Sequence, residues 1–343
     1  MKILIPIAGK GMRLYPHTLC IPKAFFSIAG KSILKRLLDE LFELIKYFSV
    51  KEIIFVIRPN EQKNEIEEKL KKLTYDIGIS YTIYYQEIPL GTADAILKAK
   101  ESLIGPIIIV FSDSLFNKIS IKGKIKKYSE NIIWTKKVSN PSSFGVVNCN
   151  NSGKILNFIE KPNYFISDLA IVGLYYFNNG LTLKKELQYL IDNDIKNNKE
   201  YQLTSVLENM RKKGETFISH TVKDWMDFGD KRNTICSNSK ILSMEYKNNS
   251  KLIHKNTIIK NSIILNPCYI EKNSIIENSI IGPYVSIGKF TEIKNTRIKR
   301  SLIQNNTKIV YSNLKNSIIG NYVNYKESEK EVNIGDYSNI NNS

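Results

Sequence analysis

The chain has 343 residues, 42% of them apolar and 24% charged, and a formal net charge of +17. That length suits two domains, and the apolar fraction is enough for packed cores. No apolar run reaches the roughly 18 residues that cross a bilayer, and Met1 to Ala8 is too short for a secretory signal. The chain therefore reads as cytoplasmic, with no membrane partner. Cys20, Cys149, Cys236 and Cys268 lie far apart without a CxxC pair, and His17, His220 and His254 are the only histidines. Those facts exclude a disulfide framework and a His/Cys metal centre. The positive charge is carried by lysine, with only seven arginines among 50 basic residues. Base readout and phosphate forks favour arginine. The charge thus fits composition bias and an affinity for small anionic substrates better than nucleic acid.

In chain order, Ile3 to Ile7, Ile53 to Ile57, Tyr81 to Tyr85 and Ile107 to Phe111 are apolar or β-branched runs of strand length. Leu34, Leu37, Leu38, Leu41, Phe42 and Ile45 recur at helical spacing behind Ser32, a candidate N-cap. Glu61 to Leu73 and Thr92 to Ser102 read as two more helices. Repeated βα units imply parallel strands covered on both faces. Ligands in such sheets bind beyond the strand carboxyl ends, which selects the loops Gly9 to Arg13 and Ser112 to Ser114.

Past residue 245 the period changes. Ile258, Ile264, Ile270, Ile275, Ile281, Ile287, Ile293, Ile298, Ile303, Ile309, Leu314 and Ile319 follow at steps of six or five. Gly282, Gly288 and many asparagines fill the corners, where the left-handed backbone region is needed. This beat marks a parallel β-helix; an irregular polar tail is the plain alternative. It fades over the charged run Lys326 to Val332 and returns at Ile334-Gly335-Asp336. The expected domains are residues 1–240 and 245–343.

The first loop reads Ala8-Gly9-Lys10-Gly11-Met12-Arg13-Leu14-Tyr15-Pro16-His17-Thr18, then Pro22-Lys23. A dinucleotide fingerprint needs a third glycine where Leu14 stands, and a Walker A loop ending at Gly30-Lys31-Ser32 needs one at Phe25. Both fail. A glycine-bearing loop followed by two cations remains, suited to close approach of phosphates.

The whole run resembles the signature of the sugar-1-phosphate nucleotidylyltransferases. Further landmarks of that family follow in order: Gln86 with Gly91-Thr92-Ala93, Ser112-Asp113, Phe144-Gly145-Val146-Val147, Glu160-Lys161-Pro162, Ala170 to Phe177 with Gly173, Glu200 to Thr204, and Trp225-Met226-Asp227-Phe228-Gly229. The sequence is most similar to bacterial glucose-1-phosphate thymidylyltransferase-like members with a C-terminal left-handed β-helix. The resemblance implies a Rossmann-like α/β domain with a mixed sheet, followed by that β-helix. It implies that Ala8, Gly9, Gly11, Arg13, Gln86, Gly91 and Thr92 bind the nucleotide. It also places Gly145, Glu160, Lys161 and Gly173 at the sugar phosphate, and Asp113 and Asp227 on Mg²⁺. Arg13, Lys23 and Asp113 are the implied catalytic residues. Glu160 is left between contacting sugar hydroxyls and orienting Lys161, and His17 reads as structural.

The implied reaction joins a nucleoside triphosphate, dTTP first and UTP next, to a sugar 1-phosphate. Two polyanions must meet, and like unit charges 4 Å apart cost about 4 kcal/mol at an effective dielectric of 20. Positioning and charge neutralisation are then the main catalytic tasks. UTP with N-acetylglucosamine 1-phosphate and GTP with mannose 1-phosphate are the alternative substrate pairs. Acetyl transfer by the β-helix and a non-catalytic regulatory or scaffold relative are the alternative roles. A homo-oligomer is expected, since stacked coils present flat faces.

Overall fold

The computed structural model describes residues 1–59, 62–116 and 130–327. The chain divides into two compact units, Met1–Ser237 and Asn238–Ser343.

The first unit is built on a mixed sheet. Its centre is β1 (Lys2–Pro6), whose Ile3, Leu4 and Ile5 are fully buried. On one side β1 pairs in parallel with β4 (Glu52–Ile57), which pairs in parallel with β5 (Ser80–Tyr85). On the other side it pairs in parallel with β6 (Ile107–Val110). These four strands coincide with the four apolar runs in the sequence, shifted by a residue at some ends. In β1, β4 and β6 such runs satisfy a strand that is buried on both faces, whereas β5 is half-buried at the sheet edge. Beyond β6 the direction reverses. The long β11 (Leu169–Phe177) runs antiparallel to β6, and β8 (Asn131–Lys137), β9 (Gly145–Cys149), β10 (Ile155–Glu160) and β12 (Phe217–Thr221) complete the sheet around it. The sheet is thus mixed, as the resemblance implies, and the parallel pairing inferred from the βα units holds for only part of it.

Helix α1 (Ile33–Tyr47) follows the short hairpin β2 (Ser27–Ile28) and β3 (Lys31–Ser32). The Ser32 hydroxyl accepts the Lys35 N–H at 3.1 Å, capping the helix as its sequence position predicts. Leu34, Leu37, Leu38 and Leu41 have no exposed surface, and each contributes about 1.5–3 kcal/mol by burial. Helix α2 spans Lys63–Tyr75, two residues beyond the expected end, and residue 61 lies outside the described residues. Helix α3 (Thr92–Lys98) stops four residues short of the expected Ser102: the chain turns at Ala99 instead, and Leu103 is buried. Helices α4 (Gly180–Asp192) and α5 (Leu203–Lys212) pack on the same core, which runs through Ile54, Ile96, Ile109, Phe177, Leu187 and Leu207. A two-stranded ribbon, β7 (Ser114–Leu115) against β13 (Met226–Asp227), and helix α6 (Lys231–Lys247) complete the elements that matter for the site.

In the second unit short strands stack in parallel into three sheets. Partners are 17 residues apart in the early coils, as in Ile258 with Ile275, and 16 apart later, as in Glu292 with Lys308. This is the left-handed β-helix expected from the five- and six-residue beat. Asn261, Asn278 and Asn295 occupy one corner in successive coils with positive φ, and Tyr311 takes that corner in the next. Ile270, Ile281, Ile287, Ile293, Ile298, Ile303 and Ile309 fill the interior. The beat misplaces two side chains: Ile258 is 47% exposed and Ile275 is half-buried, whereas Ile276 is completely enclosed. Both lie in Ile-Ile pairs, where period alone does not say which member points inward. The expected return at Ile334-Gly335-Asp336 lies outside the described residues.

Candidate active site

The chain switches sheet sides between β1 and β6, and a crevice opens beyond the carboxyl ends of those strands. A cleft of about 390 Å³ lies there, lined by both loops that the strand-end rule selects. It brings together Ala8, Gly9, Gly11, Arg13, Lys23, Gln86, Gly91, Thr92 and Asp113, although up to 105 positions separate them in sequence (8 to 113).

The loop after β1 enters a short turn of 3₁₀ helix, Met12–Leu14, through Gly11 at φ +63. Thr18 Oγ1 donates to the Gly11 carbonyl at 3.0 Å and closes the loop on itself. Lys23 opens a second 3₁₀ turn, Lys23–Phe25, whose Ala24 is buried. Its Nζ lies 2.5 Å from Asp113 Oδ2.

At the far side of the cleft the Gln86 side chain is 2% exposed. Its Nε2 donates to the Gly91 carbonyl at 3.1 Å and to Asp94 Oδ2 at 2.7 Å. Both amide hydrogens are thus committed, and Oε1 accepts no hydrogen bond from the described residues. Gly91 has φ +130, and a Cβ there would sit 2.4 Å from the Tyr201 carbonyl oxygen. Only glycine fits so close to another backbone. Ala93 N–H donates to the same carbonyl at 2.9 Å, and Thr92 Oγ1 accepts the Leu203 N–H at 2.9 Å. The loop before α3 is therefore stitched to residues 201–203, and Glu200 lines the cleft beside it.

Asp113 and Asp227 converge through the β7–β13 ribbon, in which Asp227 pairs with Ser114 and Phe228 N–H donates to the Asp113 carbonyl at 2.9 Å. Burial disfavours the Asp113 charge, but the Lys23 ammonium and the Arg13 guanidinium outweigh it and hold the carboxyl below the usual range. Among the described residues Asp227 has no ion pair, and the Lys23 charge is the smallest of the influences on it. Burial, helped by the Asp113 charge, raises its pKa to about 6. Gly229 N–H donates to Asp227 Oδ1 at 2.8 Å and Asn233 Nδ2 to Oδ2 at 2.5 Å, both favouring the ionised form. Ser237, one turn further along α6, donates to the Asp227 backbone carbonyl at 2.8 Å. Sequence reasoning missed Asn233 and Ser237, since asparagine and serine are so common in this chain that neither stands out; Glu200 it had as the first residue of the motif Glu200 to Thr204.

The donor set fits a hard divalent cation. Two carboxylates supply only oxygen, and no group of three or more His, Cys, Asp or Glu forms a metal cluster among the described residues. The other ligands would have to be phosphate and water oxygens, as Mg²⁺ prefers.

Glu160 and Lys161 line a second cavity of about 230 Å³, with Asn163, Tyr164, Asn197 and Asn198. Glu160 accepts a short hydrogen bond from Thr204 Oγ1 and lies 3.6 Å from Lys161 Nζ. Lys161 has φ +42, a conformation that costs a β-carbon-bearing residue about 1–2 kcal/mol. Gly145 begins β9 with its Cα side against Glu160, where a Cβ would stand 3.1 Å from Oε2. Gly173, at φ +83, sits where the pairing of β11 with β8 breaks register. Tyr175 on the same strand links the two regions. Burial raises its pKa, and the charges of Glu160 and Asp113 push the same way. His17 packs against Phe26 with ring centroids 5.9 Å apart, and burial and then Lys231 lower its pKa.

The family profile described as Nucleotidyl transferase matches residues 2–243. The chain belongs to the nucleotidyl transferase family. As a member it is an enzyme of the nucleotidyltransferase class, EC 2.7.7. It is 30% identical to the bifunctional protein GlmU of Methanococcus vannielii, over 95% of this chain and 79% of that protein. It is also 30% identical to a bifunctional sugar-1-phosphate nucleotidylyltransferase/acetyltransferase of Sulfurisphaera tokodaii, over 77% of this chain and 62% of that protein. A mannose-1-phosphate guanylyltransferase catalytic subunit beta of Drosophila melanogaster is 28% identical over 78% of the chain and 69% of its own length. Among solved structures, a putative glucose-1-phosphate thymidylyltransferase of Bacillus anthracis superposes with a TM-score of 0.59 at 21% identity, covering 70% of this chain and 94% of that one. That likeness concerns the fold alone. Nucleotidyltransferases of this family generally work with a divalent cation.

Proposed function

We propose that this nucleotidyltransferase joins a nucleoside triphosphate to a sugar 1-phosphate, giving a nucleoside diphosphate sugar and pyrophosphate. The observation that carries the reading is the meeting of Asp113, Arg13 and Lys23 in a cleft that also holds Gln86 and Gly91, with Asp227 close enough to Asp113 to feel its charge. In the reaction a sugar phosphate oxygen attacks the α-phosphorus. A new P–O bond forms as the bond to the β-phosphate bridge breaks, and pyrophosphate departs with the electron pair. The attacking oxygen is already ionised, so no side chain need act as a base. The glycine loop after β1 lets backbone N–H groups approach the phosphates. Arg13 and Lys23 neutralise charge along the triphosphate, Asp113 and Asp227 hold Mg²⁺, and Lys161 holds the sugar phosphate. Mg²⁺, when bound, spreads the charge of the phosphates. Glu160 shares its carboxylate between Thr204 and Lys161, which favours an orienting role for it.

The base is read through Gln86. With both amide hydrogens spent on Gly91 and Asp94, its carbonyl offers an acceptor only. Thymine and uracil present an imide N–H to such an acceptor and guanine a ring N–H, whereas cytosine and adenine offer only an exocyclic amino group, beside a ring acceptor that the Gln86 carbonyl would repel. We therefore keep dTTP with glucose 1-phosphate and UTP with N-acetylglucosamine 1-phosphate as the leading pairs, followed by GTP with mannose 1-phosphate. The guanylyltransferase among the relatives supports retaining the last.

A grid of nucleoside triphosphates and sugar 1-phosphates, read by pyrophosphate release with Mg²⁺, tests the reading. One strong pair is expected, with turnover lost by about 10²-fold or more in Asp113→Asn and Asp227→Asn, as for other charge-stabilising groups. Nucleotide binding without turnover across the whole grid would replace this reading with a regulatory one.

The bifunctional relatives raise a second activity, acetyl transfer. His254 is the one histidine after residue 240, and its Nδ1 accepts the Asn256 N–H at 3.1 Å in the opening turn of the β-helix unit. Acetyl-CoA consumption that disappears in His254→Ala would establish that activity, and none in the parent chain would exclude it.

A further inference from the structure

The two carboxylates assigned to the metal are held by different kinds of partner. Asp227 is gripped by two neutral donors, Gly229 N–H and Asn233 Nδ2, which orient a carboxylate without cancelling its charge. Asp113 is paired with a full cation, Lys23 Nζ at 2.5 Å from Oδ2, with both side chains largely shielded from water. Charge-assisted bonds of that length in a low-dielectric pocket are among the stronger contacts a carboxylate makes. A divalent cation approaching Asp113 must therefore displace the ammonium or share the carboxylate with it, at Oδ1 or at the occupied Oδ2. Lys23 is free to leave. Its backbone is fixed in the 3₁₀ turn by buried Ala24, but the ammonium rides on four rotatable methylenes. It also lines the same cleft as the Gly9–Gly11 loop and Arg13.

From this geometry we infer that Lys23 is exchanged between Asp113 and the nucleotide, so that it opposes binding of the divalent cation alone and assists it when the triphosphate is present. The inference rests on the metal and nucleotide roles proposed above. Without nucleotide, Lys23 stands in for the positive charge that Asp113 requires. A triphosphate offers the ammonium a second anionic partner and presents its own oxygens to the cation. Each ligand then lowers the cost of binding the other. By linkage the nucleotide raises cation affinity by the same factor as the cation raises nucleotide affinity, about 5- to 150-fold for couplings of ordinary size. Arg13, whose charge also bears on Asp113, remains in place throughout and accounts for affinity that Lys23 does not control.

The test is Mn²⁺ binding to the full chain, followed by electron paramagnetic resonance, with and without a non-hydrolysable nucleoside triphosphate. Lys23→Met removes the charge while keeping most of the stem. It should bind Mn²⁺ alone about 5-fold or more tightly than the parent chain, and should lose most of the gain in Mn²⁺ affinity that nucleotide confers. Lys23→Arg, which keeps the charge, should bind Mn²⁺ as the parent does. Lys23→Gln serves the same purpose as the methionine variant and guards against a folding defect in it. Unchanged or weaker Mn²⁺ binding in both neutral variants overturns the inference, provided that Asp113→Asn abolishes Mn²⁺ binding. If Asp113→Asn binds Mn²⁺ like the parent, the placement of the cation itself is wrong, and the exchange falls with it.

Discussion

Glu40 is a shielded carboxyl that the chemistry of the cleft leaves unused. It lies on α1 and accepts the Phe116 N–H at 2.6 Å, one residue past the ribbon strand that pairs with Asp227. Burial raises its pKa to about 8, against smaller opposing effects of the Phe116 N–H and Arg36. In the unfolded chain it ionises near 4.5. Between those two values the unfolded state has released a proton that the folded state keeps, so stability falls as pH rises through that window and then levels off. The loss approaches about 5 kcal/mol by pH 8, to order of magnitude, at 1.36 kcal/mol per unit. Glu40→Gln preserves an acceptor for Phe116 and does not titrate. Melting temperature measured from pH 5 to 9 should fall less in Glu40→Gln than in the parent, and the variant should be the more stable at pH 8 and above. A constant offset between the two curves would show that Glu40 is ionised throughout. Little of this was legible beforehand: Glu40 sits in a charged, amphipathic helix, and its distinction comes from where Phe116 returns to that helix.

Among the elements, the βα half and the β-helix differ in how much their sequence specifies. Strand runs such as Ile107–Val110 are apolar throughout, so burial on both faces follows from composition, and only the ends shift. In the coils, strands such as Ile275–Glu277 and Arg297–Lys299 bury only their middle side chain, and an Ile-Ile pair leaves that choice to the neighbouring corner. Asn273 and Asn278, both at positive φ, bracket the strand and set Ile276 inward and Ile275 outward. Ile276→Ala should therefore cost about 2–5 kcal/mol, the usual range for a buried isoleucine, while Ile275→Ala costs less than half as much; equilibrium denaturation of the two variants checks the difference. The loop before α3 makes the corresponding point for the site. Gly91→Ala would drive a methyl group into the Tyr201 backbone, so the loop must shift and carry Gln86 with it. A rise in KM for the nucleoside triphosphate of about tenfold, or 1.4 kcal/mol, with a smaller change in KM for the sugar phosphate, is expected in steady-state kinetics.

At the scale of the whole molecule, each unit has its own apolar core. One cluster lies within residues 4–217 and the other within residues 268–325. A domain with a complete core folds independently. We assign nucleotidyl transfer to residues 1–240 and self-association to the β-helix of residues 245–343. A fragment of residues 1–247 keeps all of α6, including Asn233 and Ser237 beside Asp227. It should retain turnover within about tenfold, the effect of 1.4 kcal/mol on the barrier, and should sediment as a smaller species than the full chain. An unchanged oligomeric state in analytical ultracentrifugation would move the association surface to the first unit. The net charge of +17 belongs to the chain as a whole, and some of its lysines are spent on ion pairs within the coils, such as Lys294 with Glu277 and Glu292.

By itself the sequence determined the class of both halves, the loops that line the cleft, and the membership that Gly9 to Lys23 and the later motifs announce. Those properties are written in local spacing: apolar runs, glycines at fixed offsets, and a period of five or six residues. Tertiary structure alone decided that Lys23 pairs with Asp113, that Asn233 and Ser237 hold Asp227, that the Gln86 amide is committed to Gly91 and Asp94, and that the sheet reverses beyond β6. Each is a contact between residues brought together by the strand order, and a hydrogen bond of 2.5–3 Å depends on backbone placement that no local pattern records.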